Sequence, residues 1–163
     1  MALRNIVKEG DKVLEKKCRP VEKFDSKLWD LLDDLKETLL DSDGVGLAGP
    51  QVGVLRRVTV IDLRDGSGTV EFVNPEIIET EGEQEVTEGC LSCPGEFGII
   101  KRPMYVKAKA FNRKGEEFFI EGEGFFAQAM CHEFDHLDGI LFKSKVIKML
   151  SDEDLERMRN EEE

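Results

Sequence analysis

No uninterrupted apolar run in this sequence approaches the length needed to cross a bilayer, so a membrane partner is not expected. The first ten residues carry Arg4, Lys8 and Glu9 where a secretory signal needs an apolar stretch. There is no internal repeat, Ser/Gly-rich linker or Pro-rich tract, and nothing divides the chain into two folding units. Positive charge is also scarce: 23 Lys and Arg stand against 35 Asp and Glu, a net charge of −12. A field of that sign repels polyanions, which argues against DNA as a partner. Histidine is rarer still, with two in the whole chain.

What is present fits one globular domain over residues 1–163. Apolar residues at 40% and charged residues at 36% form a balance that folds rather than stays disordered. The length is enough to bury a core without disulfides. Four cysteines, Cys18, Cys90, Cys93 and Cys131, in a chain without an export signal point to a reducing compartment, the cytoplasm by default. There thiols more often bind metal or do chemistry than pair.

From Asp25 to Asp43, leucines at 28, 31, 32, 35 and 39 follow the spacing of a half-buried helix. Asp25 or Ser26 can cap its start and Gly44 follows its end. The stretch Gly44 to Gly53 is punctuated by glycine and proline and reads as a shaped loop. Strands are expected at Val58 to Leu63, Val70 to Asn74, Tyr105 to Phe111 and Glu117 to Glu121, which are rich in β-branched and aromatic residues. A second helix should run from about Phe125 to Asp138 with Gly139 as its stop, and a short third one from Ser151 to Asn160. Glu161 to Glu163 should fray. The order predicts an α+β fold, with antiparallel sheets packed around the second helix, an N-terminal helix, and a short C-terminal helix ending in an acidic tail.

The sharpest chemical signal is His132-Glu133-Phe134-Asp135-His136. Two imidazoles four residues apart share one helix face and can reach one metal ion. Two histidines scattered at random would fall at this spacing in about one case in eighty, so chance explains the pair poorly. Glu133 projects about 100° around the helix from His132, outside the ligand row but able to serve as a general base. A catalytic site usually takes a third protein ligand and keeps one position open. Cys131, adjacent to His132, would be strained as that ligand, and Cys18 stands alone among charges. Cys90 and Cys93 remain. If both bind, a closed Cys₂His₂ site is structural and leaves Glu133 without a task; if one binds, the site stays open.

The segments Gly44 to Gly53, Glu88 to Gly95 and His132 to Gly139 resemble the three signature motifs of the peptide deformylase family. The resemblance extends from Arg4-Asn5-Ile6-Val7 through Gly139-Ile140-Leu141-Phe142. It implies a metal held by Cys90, His132 and His136, with Cys93 outside the ligand set and Glu133 as the catalytic acid/base. Gln51 matches the motif glutamine and Leu91 the residue after the metal cysteine. The side-chain amide of Gln51 and the backbone N–H of Leu91 would form an oxyanion hole. Val45 and Gly46 would line the substrate groove together with Gln51 and Leu91. Three positions depart from the usual pattern: Gly49 stands in place of an alanine, Cys131 in place of a glutamine, and Cys93 occupies a variable site.

The implied reaction is hydrolysis of the formyl group from N-formylmethionyl peptides of nascent chains, releasing formate. The implied metal is Fe²⁺, although a thiolate with two imidazoles also accepts Zn²⁺, Ni²⁺ or Co²⁺. Glu88 should pair with Arg102 behind the metal and orient the strand that carries the ligand cysteine. Family members work near the ribosome, but here the tail from Asp152 to Glu163 holds only Arg157 and Arg159 among many acids, which weakens ribosome contact through that tail. Two rivals make different predictions: a structural zinc clip using both Cys90 and Cys93, and an H-E-x-x-H peptidase cleaving internal peptide bonds.

Overall fold

The structure, a computed structural model, describes residues 2–162. Met1 and Glu163, both within the span read as one domain, lie outside the described residues. No described helix is long and apolar enough to cross a membrane.

Helix α1 spans Ser26–Leu40, and Asp25 caps it by accepting from the Leu28 N–H at 3.2 Å. All five leucines of the predicted stripe are buried. Each contributes about 1.5–3 kcal/mol by leaving water, so packing rather than propensity holds this helix. It ends at Leu40 rather than at the expected Asp43, so Gly44 follows its end without capping it. The Ser42 hydroxyl donates to Leu39 O at 2.6 Å, and Arg64 donates to the carbonyls of Leu39, Ser42 and Gly44. Side chains thus satisfy carbonyls that a glycine cap would otherwise serve.

The first sheet contains β1 (Gly46–Ala48), β2 (Val58–Asp62), β3 (Thr69–Glu81), β6 (Tyr105–Phe111) and β7 (Glu117–Glu123), in the order β1-β2-β3-β6-β7 and antiparallel throughout. Alternation along its strands sorts two cores. Val58, Val60 and Val73 pack with α1, whereas Ile61, Phe72, Val106, Ala108 and Ala110 pack with a second helix, α2 (Phe125–Leu137). The sheet therefore lies between α1 and α2.

A second sheet joins β4 (Gln84–Cys90), β5 (Cys93–Arg102) and the short β8 (Lys148–Met149) in the order β4-β5-β8. Its hairpin turns at Leu91 and Ser92, which sets Cys90 opposite Cys93. Neither β4 nor β5 was expected from sequence. The stretch Glu85-Val86-Thr87-Glu88-Gly89 is too polar and glycine-rich to read as strand, and its pairing with β5 supplies what propensity lacks. The stretch from Gly44 to Gly53 is likewise more regular than the loop expected of it. Gly46–Ala48 pairs with β2, and Gly49–Val52 forms one 3₁₀ turn that starts with Pro50 near its beginning.

Helix α2 is enclosed nearly all round, with every residue from Ala127 to Phe134 buried, as are His136 and Leu137. Helices with no solvent face are core elements. Gly139, at φ 76°, ends α2, and the N–H groups of Gly139 and Ile140 return to His136 O and Asp135 O, the glycine stop read from sequence. Helix α3 runs Asp152–Glu162, two residues past the expected end at Asn160.

Candidate active site

Two elements meet at the site: the tip of the β4–β5 hairpin brings Cys90, and α2 brings His132 and His136. One donor atom from each lies within 4.8 Å of the other two, and Cys90 Sγ is 3.4 Å from His136 Nε2. Donors of a tetrahedral ion bound at about 2.3 Å to sulfur and about 2.0–2.1 Å to nitrogen sit roughly 3.5 Å apart. The donor set therefore fits a divalent metal. Cys93 is turned otherwise, its thiol donating to Glu9 Oε2 at 3.1 Å. Cys131 is buried with Ile61, Phe72 and Met130, and Cys18 with Ala48 and Leu137. Cys18 thus serves packing, despite its charged neighbours in sequence.

A fully partnered network stands behind His132. Its Nδ1 lies 2.5 Å from Glu88 Oε1. A carboxylate can only accept, so Nδ1 carries the proton and Nε2 keeps the lone pair. Arg102 donates to both oxygens of Glu88, at 2.5 and 3.1 Å, and to Asp135 Oδ2 at 2.9 Å. Gln128 adds a donor to Glu88 Oε2 at 3.3 Å. Burial pushes the Glu88 carboxyl up, but the hydrogen bonds from His132 and Arg102 outweigh it and hold the pKa at about 2. The pairing of Glu88 with Arg102 expected from sequence is present; Asp135 and Gln128 were not foreseen. Gln128 lies four residues before His132, on the same helix face, and that spacing could have found it.

Glu133 sits in a different setting. Its Oε2 is 3.8 Å from His132 Nε2, and its Oε1 is buried with no hydrogen-bond partner. Burial pushes its carboxyl up to about 7, against the pull of His132. His136 is driven well below its ordinary value, first by burial and then by His132, which favours the neutral, ligating imidazole. A Cβ on Gly46 would fall 2.5 Å from Glu133 Oε2. The backbone of β1 therefore rests directly on this carboxylate, and only glycine permits that approach.

Gln51 leaves the 3₁₀ turn with both ends of its amide engaged. Oε1 accepts from the Ala48 N–H at 2.9 Å, and Nε2 lies 3.2 Å from Ser92 Oγ and 3.6 Å from Cys90 Sγ. The first contact orients the amide so that its N–H groups face the hairpin tip. A cavity of about 470 Å³ opens over these groups and is lined by Val45, Gly46, Gln51, Cys90, Leu91 and Glu133, among others. Phe97 and Phe125 stand at its edge with exposed rings; neither was singled out from sequence.

The sequence profile of the polypeptide deformylase family matches residues 3–151. The chain belongs to the polypeptide deformylase family. It is 52% identical over 160 residues to a peptide deformylase of Caldicellulosiruptor bescii, covering 98% of this chain and 95% of that one. Identity to peptide deformylase 1 of Bacillus subtilis is 48% over 158 residues, 97% and 99% of the two chains. The crystal structure of peptide deformylase from Thermotoga maritima superposes with a TM-score of 0.86 at 41% identity, covering 90% of this chain and 99% of that one. Members of the family are metal-dependent hydrolases of the N-formyl group, and that is the activity of this chain. The family match stops where α3 begins.

Proposed function

We propose that Cys90, His132 and His136 hold the metal and that the chain, acting as one catalytic domain, removes the formyl group from N-formylmethionyl nascent peptides in the cytoplasm. The observation that carries this reading is the convergence of one thiol and two imidazoles beside a buried carboxylate, at the floor of a cavity. A divalent ion bound there supplies the Lewis acidity that activates water toward the formyl carbon. Glu133, with a pKa near neutrality, takes the proton of the attacking water and delivers it to the departing amine. The Gln51 amide and the Leu91 N–H stabilise the negative charge that grows on the formyl oxygen. Val45 and Gly46 line the groove along which the peptide lies. Bond cleavage consumes one water and yields formate and a free amino terminus.

Glu88 fixes the His132 tautomer and so keeps Nε2 available as a donor. The ion proposed is Fe²⁺, which suits a mixed thiolate and imidazole set and makes the activity sensitive to air. Full activity after prolonged aeration would instead favour Zn²⁺ or Ni²⁺. The partner is the formylated peptide itself; the acidic α3 is unsuited to docking on ribosomal RNA.

The test is formate release from matched formylated and unformylated peptides by protein purified without oxygen. Release from the formylated peptide alone is expected. Cleavage within the unformylated peptide would favour a peptidase, and a fully metallated protein without either activity would favour a structural clip.

A further inference from the structure

The proposed reaction leaves Cys93 without a task. Cys93 is 2% exposed and sits directly across the β4–β5 ladder from Cys90. Opposed residues of antiparallel strands have Cα atoms about 4.5–5.5 Å apart, within the roughly 4.4–6.8 Å that a disulfide bridges. Opposed side chains of an antiparallel pair lie on one face of the ladder, and Cys90 packs against the cluster of Cys93, Ile100 and Phe142.

Access differs between them. Cys90 is half-buried and lines the cavity, so a small oxidant entering the substrate groove meets it first. Cys93 is the buried neighbour. Cys18 and Cys131 lie in separate apolar clusters and line no part of that cavity.

We propose that Cys90 and Cys93 form a redox pair, in which Cys93 resolves oxidised Cys90 into a reversible disulfide and withdraws its sulfur from the metal. Only the second half, the loss of metal, rests on reading Cys90 as a ligand. Hydrogen peroxide is the oxidant. The Cys90 sulfur attacks one peroxide oxygen, the O–O bond breaks, and a sulfenic acid and one water result. The Cys93 sulfur then attacks the sulfenic sulfur. The S–S bond forms, the S–O bond breaks, and the hydroxyl leaves with the Cys93 proton as a second water. Two thiols have lost two electrons to one peroxide. A dithiol reverses the bond by exchange. Without Cys93 the sulfenic acid proceeds to sulfinic and sulfonic acids, which dithiols do not reduce. The pair thus exchanges permanent loss of the ligand for a recoverable one.

The test treats zinc-loaded protein with hydrogen peroxide and follows intact mass, peptide maps and zinc release to a chromogenic indicator. Expected is a product lighter by about 2 Da, with residues 90 and 93 cross-linked and zinc released in step. Dithiothreitol should restore both thiols and zinc binding. The variants Cys93→Ala and Cys93→Ser should instead gain about 32 and 48 Da at Cys90 and resist restoration. If wild-type protein accumulates those oxygen additions without the lighter product, the redox pair is overturned and Cys90 as a ligand stands. If the cross-link forms while zinc stays bound, both the switch and the ligand assignment fall.

Discussion

Glu88 and Glu133 approach the same imidazole from its two nitrogens, and burial acts on them with opposite results. Glu88 lies 2.5 Å from His132 Nδ1 and meets Arg102 and Gln128 as well. Glu133 lies 3.8 Å from His132 Nε2 and has one oxygen with no partner. The first carboxyl falls to about 2 and the second rises to about 7. Hydrogen bonding to the charged form offsets desolvation on one side and is missing on the other. The lesson is a division of labour around one helix: a permanently charged carboxylate that holds a ring in place, and a proton-exchanging one beside the cavity.

The largest effect should come from removing the exchangeable proton. Glu133→Gln keeps the size and burial of the side chain, yet formate release should fall about 10²- to 10⁴-fold with metal content unchanged. Turnover within tenfold of wild type, measured beside a metal assay, would dismiss the acid/base role and with it the contrast. Glu88→Ala tests the other side. It leaves Arg102, 3% exposed, without its main carboxylate, and breaking a buried pair in this way costs about 3–5 kcal/mol. Metal affinity should drop roughly 10- to 100-fold through the loss of His132 orientation. Denaturant melts and a chelator competition would read the two quantities separately. Gln51→Ala should lower turnover about 100-fold at constant metal content. A melt midpoint that moves while turnover holds would reduce Gln51 to its bond with Ala48.

Much of this site was legible because its signals are local. The i, i+4 histidines, the glycine stop at Gly139 and the leucine stripe of α1 depend on neighbours within one or two turns, and each is present in the structure. The β-branched and aromatic residues of Tyr105–Phe111 marked β6 at its observed bounds for the same reason. What escaped depends on residues distant in sequence. Gly46 argued for a loop because glycine weakens strands, yet it lies in a strand because the Glu133 carboxylate leaves no room for a Cβ. The β4–β5 hairpin is held by its ladder and by Ile100 and Phe142 beneath it, not by the propensities of Glu85, Thr87 or Gly89. Asp135 looked like spacer between two histidines, but its partner is Arg102, 33 positions away. Gly49, noted as a departure from the family pattern, has a local reason as well. A Cβ there would fall 2.8 Å from the carbonyl oxygens of Val54 and Arg56.

The most specific effect concerns the pH dependence of stability in metal-free protein. Glu88 titrates at about 2 when folded against an ordinary 4.5, so its contribution is present above 4.5 and is lost as pH falls toward 2. Glu133 titrates at about 7 when folded against the same 4.5. The folded chain holds that proton more tightly, so its contribution is present below 4.5 and is lost as pH rises through 7. Each contribution is on the order of 3 kcal/mol. His136, driven down by burial, works against the Glu133 trend, so the wild-type curve is a sum. Subtracting the Glu133→Gln curve isolates one member. Urea midpoints from pH 4 to 8 should show the variant gaining on wild type as pH rises, most steeply between 4.5 and 7, with the acid limb below 4.5 common to both. A constant difference across that window would mean that Glu133 is already ionised in the folded chain, and the contrast between the two glutamates would collapse to one of position alone.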